Sequence, residues 1–377
     1  MKKITTKTIL FISLLMACTT FIVGVYMGKS GIATRIYTTF NPRPPKQTSI
    51  NYIDSLDKDG LINRIRINNL QDAEIFRNKL ISIIWGKDGI PYNSLPEKVE
   101  TNIQDSLFAD IENLGSVDCI VDSLDHGFVS VMYHLKPKTN DKNEIVIYHH
   151  GHEGRNDYSA GIPSYKELVK NGYHVISIQM PLLGRNNLPI VNTPTTGKTQ
   201  IRNHDMMMYL ENPYPIFFTP IRTAINYLRK EKQYNGFSML GLSGGGWTTQ
   251  LYVAMDTTIK KSYTIAGSAP IEIKLIRFQD LGDMEQYDPR IYSQISYPEI
   301  YVLGSIGQGR RRIQILNTED PCCFKYQNSI YYREAVTKKV EQIGIGTYQL
   351  LEDKTNKEHS ISPFAITLIL KDLQNND

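Results

Sequence analysis

Hydrophobic and polar positions along this chain alternate between two periods. Residues 70–86 carry Ile75, Leu80, Ile83 and Ile84 at helical spacing, which predicts a helix packed on the main body. Between 117 and 137, two runs rich in β-branched and aromatic residues flank Asp125-His126-Gly127, the pattern of an antiparallel hairpin. Short apolar runs then follow at 145–150, 174–180, 237–242, 262–266, 312–316 and 347–351, each reading as a strand. Helical stretches separate them: one ends at Gly172, and one opens at Thr219-Pro220 with Phe218, Ile221, Ile225 and Leu228 on one face. Others run from about 245 to 255, after Ile330, and from Ser362-Pro363 onward. Such alternation implies parallel strands joined by crossover helices on both faces of a sheet. Two stretches, about 181–215 and 271–299, break the rhythm. Both follow strand C-termini, where an α/β sheet places its site.

The first residues differ from the rest. Lys2, Lys3 and Lys7 precede an uncharged, mostly apolar stretch, 8–28, followed by Lys29. As a helix it is long enough to cross a hydrocarbon core of ~30 Å. The flanking lysines predict an uncleaved anchor with the following residues outside the cytoplasm. A cleaved signal peptide, or lipoprotein processing at Leu15-Met16-Ala17-Cys18, are the alternatives. The expected organisation is therefore an anchor up to residue 30, a linker and extension over 31–69 containing Pro42, Pro44 and Pro45, and one α/β domain over 70–377.

Composition narrows the partners. With 377 residues, 41% of them hydrophobic, and a formal charge of +4, the chain has the material for a large core and no field strong enough to hold nucleic acid. Its densest basic run, Arg310-Arg311-Arg312, leads into a strand pattern and reads as a solvated strand end rather than a nucleic-acid patch. Cys18, Cys119, Cys322 and Cys323 have no zinc-ligand spacing, so no structural metal is expected. An extracytoplasmic location would permit a disulfide between Cys119 and one of the adjacent pair, since neighbouring cysteines rarely bridge each other.

Gly241-Leu242-Ser243-Gly244-Gly245 matches G-x-S-x-G, with an apolar strand before it and a helix pattern after it. That setting is what a nucleophile elbow needs, because a tight strand-to-helix turn leaves no room for β-carbons beside the serine. No lysine follows the glycines, so a phosphate-cradling loop does not fit. His149-His150-Gly151-His152-Glu153-Gly154 ends the first expected parallel strand. Its histidines and glutamate resemble metal ligands, but adjacent strand residues point to opposite faces, which disfavours a joint site. His359 lies after the last strand and is the expected general base, with His204 in the first insertion as its rival. Asp320, with Glu319 as fallback, lies after the preceding strand and is the expected acid.

The elbow, the His150-Gly151-His152 loop and the order Ser243, Asp320, His359 resemble the α/β-hydrolase superfamily over residues 117–373. The resemblance implies a mostly parallel sheet with helices on both faces, a leading antiparallel hairpin, and a Ser-His-Asp triad working through an acyl-enzyme. It also implies an oxyanion hole from the N–H of Gly244 and of His152 or Gly151, with no cofactor and a small-molecule or acylated substrate. An ester hydrolase is the leading expectation. A peptidase or amidase of the same fold, and a non-catalytic tethered binding module, are the alternatives. Arg185 could meet an anionic group or brace its loop, and Met206-Met207-Met208 could serve a lid or the core.

Overall fold

The computed structural model describes residues 58–152, 157–275, 281–322 and 324–375. The expected anchor at 8–28 lies outside them, and among the described residues no helix is long and apolar enough to cross a membrane. Chain order begins with helices α1 (Lys58–Arg64) and α2 (Leu70–Trp85), then strands β1 (Lys98–Glu100), β2 (Leu114–Ser123), β3 (Val129–Pro137) and β4 (Glu144–His149). Helix α3 (Ile162–Lys170), β5 (His174–Ile178) and a two-stranded hairpin of β6 (Ile190–Thr193) and β7 (Gly197–Gln200) come next. The remainder is α4 (Tyr214–Glu231), β8 (Gly236–Leu242), α5 (Gly244–Met255), β9 (Ile259–Ile265), α6 (Tyr297–Ser305), β10 (Arg311–Asn317), α7 (Arg333–Ile343), β11 (Thr347–Asp353) and α8 (Pro363–Gln374).

Nine strands form one sheet in the order β1-β2-β3-β5-β4-β8-β9-β10-β11. The leading hairpin β2–β3 is antiparallel, β3 joins β5 antiparallel, and every pairing from β5 to β11 is parallel. Buried parallel strands read as continuous apolar runs, which is why 145–148 and 175–178 stood out in the sequence. Helices α3 and α8 touch each other in one layer, whereas α5 touches α2, α4 and α6 in the other.

Helix α5 is buried at every residue from Gly244 to Met255. A helix enclosed on all sides must satisfy its last carbonyls with other groups. Arg77 donates to the Ala254 carbonyl and Arg310 to the Val253 carbonyl. Arg222 pairs with Asp256, the residue just past the helix, at 2.9 Å, and the Tyr252 hydroxyl donates to the same carboxylate oxygen at 2.7 Å. Three guanidinium groups thus gather where the helix dipole is negative.

Three expectations need correction. Helix α4 begins at Tyr214, so Pro220 lies inside it rather than in its first turn. Proline inside a helix costs about 3 kcal/mol, and the burial of Tyr214, Phe217 and Phe218 outweighs that cost. Arg310 and Arg312 are 3% and 0% exposed, not solvated. Arg310 reaches the carbonyls of Leu303 in α6 and of Ile306 just past it, as well as that of Val253, and Arg312 donates to Gln250 Oε1 in α5 and lies over the Tyr301 ring. Ile75 points to solvent, since α2 buries Ala73, Leu80 and Ile84 instead.

Burial alone would raise the Asp256 carboxyl, but Arg222, Tyr252 and Thr258 outweigh it and hold it below the usual range. Replacing Asp256 by Ala leaves the Arg222 guanidinium buried without its counter-charge and should cost about 3–5 kcal/mol in urea unfolding. A depressed carboxyl contributes its stability above the unfolded value. The wild-type advantage should therefore shrink as pH falls below about 3.9.

Candidate active site

Strand β8 delivers Ser243 directly into α5. The serine has φ 55° and ψ −125°, a region that costs of order 1–3 kcal/mol for a non-glycine residue and is held only by its surroundings. Those surroundings are visible. The Ser243 N–H donates to the Ile265 carbonyl at 2.9 Å, and its own carbonyl accepts from Trp247 N–H at 3.0 Å. A β-carbon at Gly241 would lie 2.2 Å from the Gly245 carbonyl oxygen, and one at Gly245 would lie 2.0 Å from that of His149. The turn, the helix start and the end of β4 interlock at backbone contact, and only glycine permits it.

His359, on the loop between β11 and α8, donates from Nδ1 to Asp320 Oδ2 at 2.9 Å. Asp320 follows β10 and is fully buried; its Oδ1 accepts from the Cys322 N–H at 2.8 Å. The neighbouring Glu319 is exposed. The opposite nitrogen of His359, Nε2, is buried and has no hydrogen-bond partner among the described residues. His359 and Ser243 line one cavity of about 1000 Å³. A base whose hydrogen bond tightens only with substrate is common in unliganded sites.

Of the two expected second oxyanion donors, His152 lines this cavity and Gly151 is buried beside it in the chain. The His152 ring sits close to Gly244, whose β-carbon position would be 3.4 Å from His152 Nδ1. As the first residue of α5, Gly244 presents an N–H that has no partner within the helix. The two expected oxyanion elements therefore meet at the serine.

Both sequence insertions build the cavity wall. Their tie is the run Asp283-Met284-Glu285, whose three residues are each held by a different contact. His152 Nε2 pairs with Asp283 Oδ2 at 2.9 Å, Asp205 Oδ1 accepts from Met284 N–H at 2.9 Å, and His204 Nδ1 meets Glu285 Oε1 at 3.2 Å. His204 Nε2 donates to the Pro181 carbonyl at 3.0 Å. Burial would lower the His204 pKa, but the Glu285 carboxylate outweighs it and raises it above the usual histidine value. Sequence reasoning found His204 as a rival base and missed Glu285 and Asp283. An Asp-x-Glu run in an insertion has no local signature.

His152, His204 and Asp283 bring one possible metal-ligand atom each within 4.8 Å of one another, and so do Asp320, Cys322 and His359. His204 donates from both nitrogens, and the Cys322 sulfur is in a disulfide. Neither set offers a full complement of lone pairs as it stands. His149 and His150 turn elsewhere: His149 Nδ1 donates to the His150 carbonyl, and His150 meets Tyr165 and Ser177. Cys119 is a free thiol, which overturns its expected bridge to the adjacent pair. Arg185 pairs with Asp105 and covers the Tyr133 ring, so it braces its loop. Met207 is buried and Met208 exposed, the pattern of core packing at a surface turn.

The sheet order, the elbow after β8 and the Asp320–His359 pair after β10 and β11 settle the architecture. The chain has the α/β-hydrolase fold. An acetyl xylan esterase from Paenibacillus sp. R4 is similar at 15% identity and a TM-score of 0.53, covering 81% of this chain and 95% of that one. Acetyl xylan esterase 1 from Thermoanaerobacterium sp. JW/SL YS485 matches at 14% and 0.53, covering 81% and 94%. A glucuronoyl esterase from Solibacter usitatus matches at 12% and 0.50, covering 78% and 90%. No family model matches the sequence, and no curated protein matches it. At such identities the likeness extends to the α/β-hydrolase fold and no further.

A histidine with a raised pKa stabilises the folded state fully below its unfolded value and loses that contribution as pH rises through the folded one. Urea midpoints measured between about pH 5.5 and 9 should therefore show wild type ahead of Glu285→Gln near the acid end. The gap should close as pH rises well above about 6.5. A gap constant with pH would show that His204 carries no charge.

Proposed function

We propose that this chain is a serine hydrolase acting on carboxylic esters through Ser243, His359 and Asp320. One observation carries the reading. A serine in a strained elbow shares a cavity with a histidine whose far nitrogen is fixed by a buried carboxylate. Structural similarity to solved esterases supports the ester preference as an analogy of fold.

In this reading His359 Nε2 takes the Ser243 proton as Oγ attacks the substrate carbonyl carbon. Asp320 keeps the proton of His359 on Nδ1 and stabilises the imidazolium that forms. The carbonyl oxygen gains charge beside the Gly244 N–H and the His152 loop, at the positive end of α5, where a preorganised donor is worth several kcal/mol. His359 then protonates the leaving alcohol. Water, deprotonated by the same nitrogen, releases the acid and restores the serine. The cavity mixes Leu182, Leu183, Leu188 and Phe324 with Arg202 and Lys274. This lining suits a small molecule or acylated substrate with both apolar and polar parts.

A fluorophosphonate probe should label Ser243, and Ser243→Ala should abolish the label. On a nitrophenyl acyl series, Ser243→Ala and His359→Ala should each lower kcat/KM on the order of 10^4-fold or more, with Asp320→Asn close behind. Undiminished labelling of Ser243→Ala would sink the assignment. Turnover of peptide anilides with none of esters would move it to an amidase.

A further inference from the structure

We propose that Arg202 is a specificity-determining residue, and that the preferred substrate is an ester carrying a carboxylate. The inference rests on the hydrolase reading above and names the class of ester that the cavity selects.

Arg202 stands just past β7 and lines the cavity that holds Ser243 and His359. Its seat is fixed: Ile201 and His204 are buried on either side, and the Ile201 N–H donates to the Pro189 carbonyl at 2.9 Å. The guanidinium is steadied as well. Its Nε donates to Gln200 Oε1 at 3.0 Å, and Gln200 Nε2 donates to the Leu188 carbonyl at 3.4 Å. Nη1 and Nη2 have no partner among the described residues.

Other arginines are used differently. Arg66, Arg185, Arg222, Arg290 and Arg311 each pair with a carboxylate. Among the described residues Arg202 pairs with none, although Asp205 and Asp283 line the same cavity. Those two acids are engaged in the wall, Asp205 with the Met284 N–H and Asp283 with His152. A guanidinium held at Nε presents its remaining donors as a planar fork, which matches the two oxygens of one carboxylate. Leu182, Leu183 and Leu188 on the same lining give apolar contact to the carbon between that carboxylate and the ester. Lys274 brings a further amine to the lining, donating to the Leu281 carbonyl and to Gln286.

The test compares matched esters on the full chain. Monoethyl adipate against ethyl hexanoate puts the charge in the acyl half. The pair 4-acetoxybenzoate and 4-methylphenyl acetate puts it in the alcohol half. In at least one pair, Arg202→Met should lower the charged-to-neutral ratio of kcat/KM about tenfold to a hundredfold, the scale of a charge-assisted hydrogen-bonded pair. Intrinsic reactivity cancels in that comparison, and so does a general loss from a disturbed wall. Arg202→Lys should keep part of the ratio, because the charge remains while the fork is lost. Raising the ionic strength should shrink the wild-type preference. The pair that responds identifies the half of the ester that carries the charge.

A ratio that Arg202→Met leaves unchanged in both pairs would overturn the inference. Binding gives a readout that needs no turnover. Titrated into Ser243→Ala, the charged ester of the responding pair should bind more tightly than its neutral match, and adding Arg202→Met should remove that advantage. Equal binding of charged and neutral esters in both pairs would also overturn it. Failure of the triad reading looks different, since Ser243→Ala would then keep wild-type turnover. If Ser243→Ala is inactive while the ratio does not move, only the role of Arg202 falls.

Discussion

Helix α5 is buried along its whole length, and that constraint organises the molecule around it. A helix with no solvated side must answer its unpaired groups and its dipole at its two ends. At the C-terminal end three arginines supply the answer: two donate to helix carbonyls, and the third pairs with the aspartate just beyond. At the N-terminal end stands Ser243, which lines the cavity beside the positive pole of the helix. One end is satisfied by protein, and the other lies at the cavity edge.

The approach of that helix to the sheet also dictates the strain at the serine. Gly241 and Gly245 allow the turn to pass at backbone contact with the end of β4, and the Ile265 carbonyl fixes the Ser243 N–H. A serine alone would relax out of this conformation; neighbours on β4 and β9 prevent it. The same packing places the His152 loop against Gly244, so the strained serine and the candidate oxyanion donors are products of one contact.

Around this rigid centre the two insertions form a wall joined by histidine–carboxylate contacts. Their join runs through the enclosed His204–Glu285 pair, and His152–Asp283 at the cavity surface ties the second insertion to the loop after β4. An enclosed ion pair is weak evidence for net stability but punishes the loss of either partner. It therefore specifies how the two segments meet more than it strengthens the fold.

Most of the architecture was legible in the sequence because its signals are local. Strand and helix periods, the glycine elbow and the order Ser243, Asp320, His359 each follow from residues close in the chain or from their sequence order. Chain order also placed His359 after the last strand, where it meets Asp320. What it left open were choices made by distant neighbours. Asp320 rather than Glu319 faces His359, because burial and a turn hydrogen bond decide between adjacent carboxylates. The start of α4 moved to Tyr214 because aromatic burial overrode a proline signal. Arg310 and Arg312 went inward because helix carbonyls and side-chain amides awaited them, and no charge pattern reveals where such partners will be. The sequence by itself determined the fold class and the glycine elbow around Ser243, which depend on spacing. Only the tertiary structure decided which carboxylate meets His359, the thiol state of Cys119 and the contacts of the cavity wall, since each depends on groups that folding brings together from far along the chain.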